Sequence, residues 1–168
     1  DSLRGRAAGT PENARARAWI ASRFDALGLA TAGGRRVHEF TFTSRRDSTT
    51  IAGGNVVGLV RGTAIPDRFV VVTAHYDHVG VGRPVNGDSI YNGADDNASG
   101  TAALLALAEH FARNPAGHSL LFVAFDAEEQ GLRGARAFVE APPVRREAMV
   151  LNVNMDMVSH SERGELYA

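Results

Sequence analysis

Three short apolar runs constrain this chain more than any other feature. Phe69 to Ala74 and Leu120 to Phe125 run with little polar alternation, Met149 to Met155 is a further strand interrupted by Asn152 and Asn154, and polar residues close each one. A strand that is apolar on both sides is covered on both faces, which calls for helices above and below a sheet. Helices are readable between the runs. Ala98 to Arg113 carries Leu104, Leu105, Leu107, Ala108 and Phe111 as its apolar positions. An earlier helix starts after Thr10, which caps it, with Pro11 in its first turn and Gly28 at its end. Trp19, Ile20, Phe24 and Leu27 fall near one face of that helix. Gly134 to Glu140 reads as a short helix stopped by Pro142 and Pro143. Val37 to Thr43 and Asn55 to Val60 read as strands, and Ser44 to Thr50 as a turn-rich connection. The glycine-rich stretch Val79 to Gly93 reads as a loop, and Arg163 to Ala168 as the start of a last strand. Strands alternating with crossovers of helical length predict an α/β fold. Its form is a three-layer α/β/α sandwich with a mixed, largely parallel central sheet.

The length of 168 residues suits one domain. Two absent residue types narrow the chemistry. Without cysteine there is no thiol nucleophile, disulfide or thiolate metal site. Without lysine there is no Schiff base and no P-loop cation; all 18 positive side chains are arginine. A net charge of −1 gives no reason to expect nucleic acid or an anionic membrane as partner. No apolar run approaches the roughly 20 residues that a membrane span needs. The remaining chemistry belongs to His, Asp, Glu, Ser, Tyr, Arg or a metal.

The polar residues gather at the ends of the apolar runs. His75-Tyr76-Asp77-His78 follows the first, Asp126-Ala127-Glu128-Glu129 the second, and Asp156 the third, while Asp95-Asp96-Asn97 precedes a helix. In open α/β sheets, ligands sit outside the carboxyl ends of the strands. Asp77, Asp95, Asp96, Glu128, Glu129 and Asp156 crowded in one cleft would repel one another. Either they point apart or cations lie between them. Oxygen and imidazole donors without thiolate suit zinc, manganese or cobalt. A pair of such ions sharing a carboxylate drives hydrolysis. Taken singly, each segment has a plain reading: a surface loop, a helix cap, a solvated acidic turn. Their combination, in this order, points to a metal site.

These segments carry a resemblance. Thr73-Ala74-His75-Tyr76-Asp77-His78, Gly93-Ala94-Asp95-Asp96-Asn97-Ala98-Ser99-Gly100, Phe125-Asp126-Ala127-Glu128-Glu129-Gln130-Gly131-Leu132-Arg133-Gly134 and Asn154-Met155-Asp156 resemble the co-catalytic zinc aminopeptidases. That family includes bacterial leucyl-type aminopeptidases and, more distantly, glutamate carboxypeptidase, the transferrin receptor and glutaminyl cyclase. Leu3 to Thr10 and Gly54 to Gly58 resemble its opening segments. The resemblance implies a zinc-exopeptidase-like fold and two Zn²⁺ per complete active site. It implies His75 and Asp156 on one zinc, Glu129 on the other, and Asp96 bridging both. Asp77 would hold the second ring nitrogen of His75, and the Asp96–Asn97 peptide would be cis. Glu128 would be the general base. The implied activity is removal of N-terminal residues from a peptide substrate, in a secreted or periplasmic location.

The family's final histidine ligand comes from well downstream of the Asp156 position, and His160 does not match it. The expectation is therefore that residues 1–168 form the N-terminal part of a single catalytic domain. Its C-terminal part would be missing and its second zinc site incomplete. Such a fragment alone would be nearly inactive and would associate through exposed sheet surface. His78 reads as a loop residue near the site, not a ligand. Ser99 lacks the Gly-x-Ser-x-Gly elbow of a nucleophile. Rival readings are a carboxypeptidase, a single-zinc glutaminyl-cyclase-like enzyme, and a non-catalytic module of the same fold.

Overall fold

The computed structural model describes residues 2–44 and 47–159. The expected strand over Arg163 to Ala168 lies outside these, as does His160. Helix α1 spans Pro11–Ala26. Strands β1 (Val37–Thr43), β2 (Thr50–Val60) and β3 (Ile65–His75) follow. A short hairpin comes next, β4 (Gly80–Val85) and β5 (Asp88–Tyr91). A distorted helical turn at Ala94–Ser99 leads into α2 (Gly100–Arg113). Then come β6 (His118–Phe125), α3 (Arg133–Glu140) and β7 (Met149–Asn154).

The main sheet has the order β1-β2-β6-β3-β7. β1, β2 and β6 pair antiparallel, whereas β6, β3 and β7 are parallel. Alternate residues of β6 divide between two cores. Leu120, Phe122 and Ala124 face α1 and α2, with Ile20, Phe24, Leu104 and Ala108. Leu121 and Val123 face α3, with Val57, Val71 and Phe138. This is the three-layer arrangement, and it explains why Phe69–Ala74 and Leu120–Phe125 lack alternation. Each fully buried Leu, Phe or Val contributes about 1.5–3 kcal/mol relative to an exposed position.

Two expectations need correction. Trp19 is 56% exposed, and the buried stripe of α1 is Asn13, Ala16, Ile20 and Phe24. Asn13 belongs to it because its side chain donates to the buried Asp126 carboxylate and to the Arg6 carbonyl. Val79 to Gly93 is not an open loop but contains the β4–β5 hairpin. Its turn is Asn86-Gly87, with φ of 51° and 85°. An Asn-Gly pair accepts left-handed backbone at both positions and so closes two-residue hairpins.

Candidate metal centre

β3 lies between β6 and β7 and is parallel to both, so all three strands release their chains at one edge. The register keeps the ends level: His75 pairs with Phe125, and Thr73 with Asn154. His75 is the last residue of β3, Glu128 lies just beyond β6, and Asp156 just beyond β7. Ala127 has φ of 53°, and this left-handed step turns the chain after β6. Asp96 arrives from the turn before α2, and the Asp96–Asn97 peptide is cis, as the resemblance implies.

Two groups of donor atoms form here, joined by Asp96. In the first, His75 Nε2 lies 3.1 Å from Asp96 Oδ1 and 3.5 Å from Asp156 Oδ1. Donors bonded tetrahedrally to zinc at about 2.0–2.1 Å sit roughly 3.3 Å apart, so the spacing suits one ion. In the second, His78 Nδ1 lies 2.7 Å from Glu129 Oε1 and 3.9 Å from Asp96 Oδ2. The two carboxylate oxygens of Asp96 thus face different groups, as a bridging carboxylate does. His78 Nδ1 and Glu129 Oε1 are buried and without a hydrogen-bond partner. Buried polar atoms left in that state are costly unless something else satisfies them, as a bound cation would. The imidazole and carboxylate donor sets fit zinc.

Glu128 is in neither group. Its Oε2 lies 4.0 Å from His75 Nε2. Burial lifts its carboxyl above the ordinary range; the charge of His75 opposes this, and Glu129, Asp77 and Asp156 add to it. The metal-free His75 imidazole is pushed up to about 9: burial lowers it, but the adjacent Asp77, with the charges of Asp156 and Glu128, outweighs burial. A cleft beside the first group is lined by Thr73, His75, Phe125, Glu128, Leu132 and Asp156.

Supporting contacts hold these side chains. Asp77 is fully buried. Its carboxylate accepts from the backbone N–H of Glu128 at 3.0 Å and of Glu129 at 3.3 Å. Its Oδ1 lies 3.6 Å from His75 Nδ1, whereas its carbonyl oxygen approaches that nitrogen to 3.2 Å. Asp77 therefore does more than the resemblance implies: it braces both His75 and the Glu128-Glu129 turn. Asn97 donates to the Met155 carbonyl and accepts from the Met157 amide, tying the Asp96 turn to the segment that bears Asp156. Buried Arg6 donates to the carbonyls of Tyr76, Asn92 and Gly93 at 2.6, 2.6 and 2.7 Å.

All of His75, Asp77, Asp96, Glu128, Glu129 and Asp156 meet at this edge. Asp95 instead turns to Ser159, whose amide and hydroxyl both donate to it. Asp126 is enclosed with Asn13 and the Gly54 amide, as a buried structural carboxylate. His78, which the sequence reading gave as a loop residue near the site, lies beside Glu129. Sequence reasoning missed Arg6, whose role depends on contacts across the fold.

A family model described as peptidase family M28 matches residues 55–168. A relative from Pyricularia oryzae, named "Probable zinc metalloprotease", is 37% identical over 160 residues, covering 89% of this chain and 31% of its own. Aminopeptidase YwaD of Bacillus subtilis is 36% identical over 118 residues, covering 67% of this chain and 24% of its own. The chain thus spans about a third or less of these curated relatives' length. A Zn-dependent exopeptidase from Parabacteroides distasonis superposes with a TM-score of 0.76 at 21% identity, over 93% of this chain and 57% of that one. Porphyromonas gingivalis glutaminyl cyclase gives 0.75 at 24% identity, over 93% and 56%. At such identities the likeness establishes the fold.

Proposed function

The chain belongs to peptidase family M28, and on that premise we propose that it carries most of the active site of a two-zinc aminopeptidase. The observation that supports this best is the pair of donor groups sharing Asp96, with Glu128 beside them and outside both. His75, Asp96 and Asp156 would hold one zinc, and Asp96 and Glu129 would belong to the other. Zinc bound there would polarise the scissile carbonyl and acidify the attacking water. The protein's own part is positioning and proton transfer. Glu128 takes the proton from the attacking water and delivers it to the departing amine nitrogen, typically worth about 10²–10⁴ in rate. Its raised pKa suits that exchange, since an acid that must return its proton works best near the operating pH. Asp77 keeps His75 and Glu128 aligned.

A cyclase-type acyl transfer, which the resemblance associates with a single zinc, would leave the second donor group without a role. The peptide hydrolase reading uses both. The substrate class is a peptide with a free N-terminus, and the proposed location is secreted or periplasmic.

The test uses the full-length protein with short peptides. Release of free N-terminal amino acid, abolished by a zinc chelator and restored by Zn²⁺, is the expected result. Glu128→Gln should keep its zinc and lose about 10²–10⁴ in kcat. Pyroglutamate formation from N-terminal glutamine, without peptide cleavage, would overturn the aminopeptidase reading. A Glu128→Gln variant with normal turnover, or one that had lost zinc, would overturn the role given to Glu128.

A further inference from the structure

We propose that Asp126 is a positioning residue for Glu128 and Glu129, acting through the turn that follows β6. The inference rests on the role given to Glu128 above and adds the group that aims it. The chain turns toward the donor groups at Ala127, whose backbone is left-handed, with φ of 53°. That conformation crowds the Cβ of an alanine against its own backbone, so surrounding contacts must hold the step. Asp126 supplies them. Its side chain is fully buried, and its Oδ1 accepts from the Ala127 amide at 2.8 Å. The same oxygen accepts from Asn13 Nδ2 of α1 at 2.9 Å, and Oδ2 accepts from the Gly54 amide of β2 at 2.9 Å. Arg17 Nη1, 3.5 Å from Oδ2, offsets part of the buried charge.

The backbone of Asp126 is held as well. Its amide donates to Asn55 Oδ1 at 3.1 Å, and its carbonyl accepts from the Gly134 amide at 3.0 Å. One residue thus ties the start of the turn to α1, β2 and α3. The next two amides, of Glu128 and Glu129, rest on Asp77. Asp77 fixes those amides, and Asp126 fixes the direction from which the chain reaches them. The three partners of the Asp126 carboxylate at 2.8–2.9 Å are all N–H donors. An asparagine would turn its NH₂ toward the Gly54 amide on one side, or toward Asn13 and Ala127 on the other. Asp126→Asn therefore keeps the shape of the side chain and breaks the clamp. No residue of the first donor group lies on this turn: His75 ends β3, Asp96 precedes α2 and Asp156 follows β7.

The test compares full-length wild type with Asp126→Asn and with Leu120→Ala, a core cavity at the opposite end of β6 that lowers stability without touching the turn. In metal-free protein, backbone hydrogen exchange of the Glu128 and Glu129 amides should be faster in Asp126→Asn than in either of the others. In zinc titration, Asp126→Asn should keep one Zn²⁺ at wild-type affinity and bind the other, which takes Glu129, about 10–100-fold more weakly. At saturating zinc its kcat should fall about 10–100-fold with KM little changed, because a misaimed proton-transfer group slows the reaction without weakening substrate binding. Leu120→Ala should match wild type in all three. Should Asp126→Asn fail to fold, Asn13→Ala, which removes one donor to the same oxygen, should show the same changes at smaller size. Wild-type exchange, zinc affinity and kcat in Asp126→Asn, or in Asn13→Ala where it replaces that variant, would overturn the proposal. Equal changes in Leu120→Ala would also overturn it, since loss of stability alone would then account for them. A Glu128→Gln enzyme with normal turnover would instead overturn the reading of Glu128, leaving the exchange and zinc results to judge Asp126.

Discussion

Arg6 offers the sharpest test of how the fold holds its site. It is 7% exposed and lies far in sequence from everything it touches. Its three short hydrogen bonds go to Tyr76 O in the segment after β3 and to Asn92 O and Gly93 O, just ahead of Asp96. Arg6→Met keeps most of the apolar stem and removes all three. Hydrogen bonds from a charged donor are worth about 1.5–3 kcal/mol each. The sum overstates the loss, because the guanidinium also surrenders its own cost of burial. A net loss of about 3–4 kcal/mol follows. Arg6→Lys should fall between, since a compact ammonium cannot serve three carbonyls in the geometry of a planar fork. The assay is urea unfolding at constant m-value, with zinc titration beside it. Zinc affinity should fall in Arg6→Met, because the Asn92-to-Asp96 turn loses its anchor. A loss below about 1 kcal/mol with zinc affinity intact would refute the reasoning, since each bond alone should exceed that.

Four further outcomes are expected. Asp77→Ala removes the acceptor of the Glu128 and Glu129 amides; zinc affinity should drop about 10–100-fold, and an unchanged titration would contradict the bracing role. In metal-free protein, His75 has its pKa raised to about 9, so its protonation contributes about 3 kcal/mol that is complete below its unfolded pKa of about 6.5. That contribution is lost as pH rises through 9, and urea unfolding with chelator across this range should show falling stability; a flat profile would contradict it. Gly134→Ala places a Cβ 2.3 Å from the Asp126 carbonyl oxygen and 2.4 Å from Asn55 Oδ1; a cost of about 1–3 kcal/mol is expected, and stability equal to wild type would argue against this close approach. The edge strand β7 exposes Val150, Leu151 and Val153; light scattering of the 168-residue chain should show concentration-dependent association, which Leu151→Lys reduces, and a monomer at all concentrations would count against it.

How much of this was legible follows from the range of the interactions involved. The strands at Phe69 and Leu120 were readable because burial on two faces leaves its mark in consecutive residues. The α1 cap was readable because Thr10 acts on Asn13, three positions away. The carboxylates and His75 were readable as a site because parallel strands release their polar ends at one edge, whatever the detail between them. Trp19 was misplaced because helical period alone cannot distinguish the stripe facing a sheet from the position beside it. The β4–β5 hairpin was passed over because glycine and proline outweighed the Asn86-Gly87 signal. Other assignments lay beyond local reasoning altogether. His78 reaches Glu129 only because β3 and β6 lie side by side. Asp77 braces the turn after β6, not just its neighbour two residues back. Arg6 grips carbonyls some 70 to 87 residues downstream. The sequence alone determined which chemical groups were present, and which strand ends or helix start would deliver them. Tertiary structure decided which atoms face one another within a few ångströms, because that depends on register, turn geometry and long-range hydrogen bonds that no local pattern encodes.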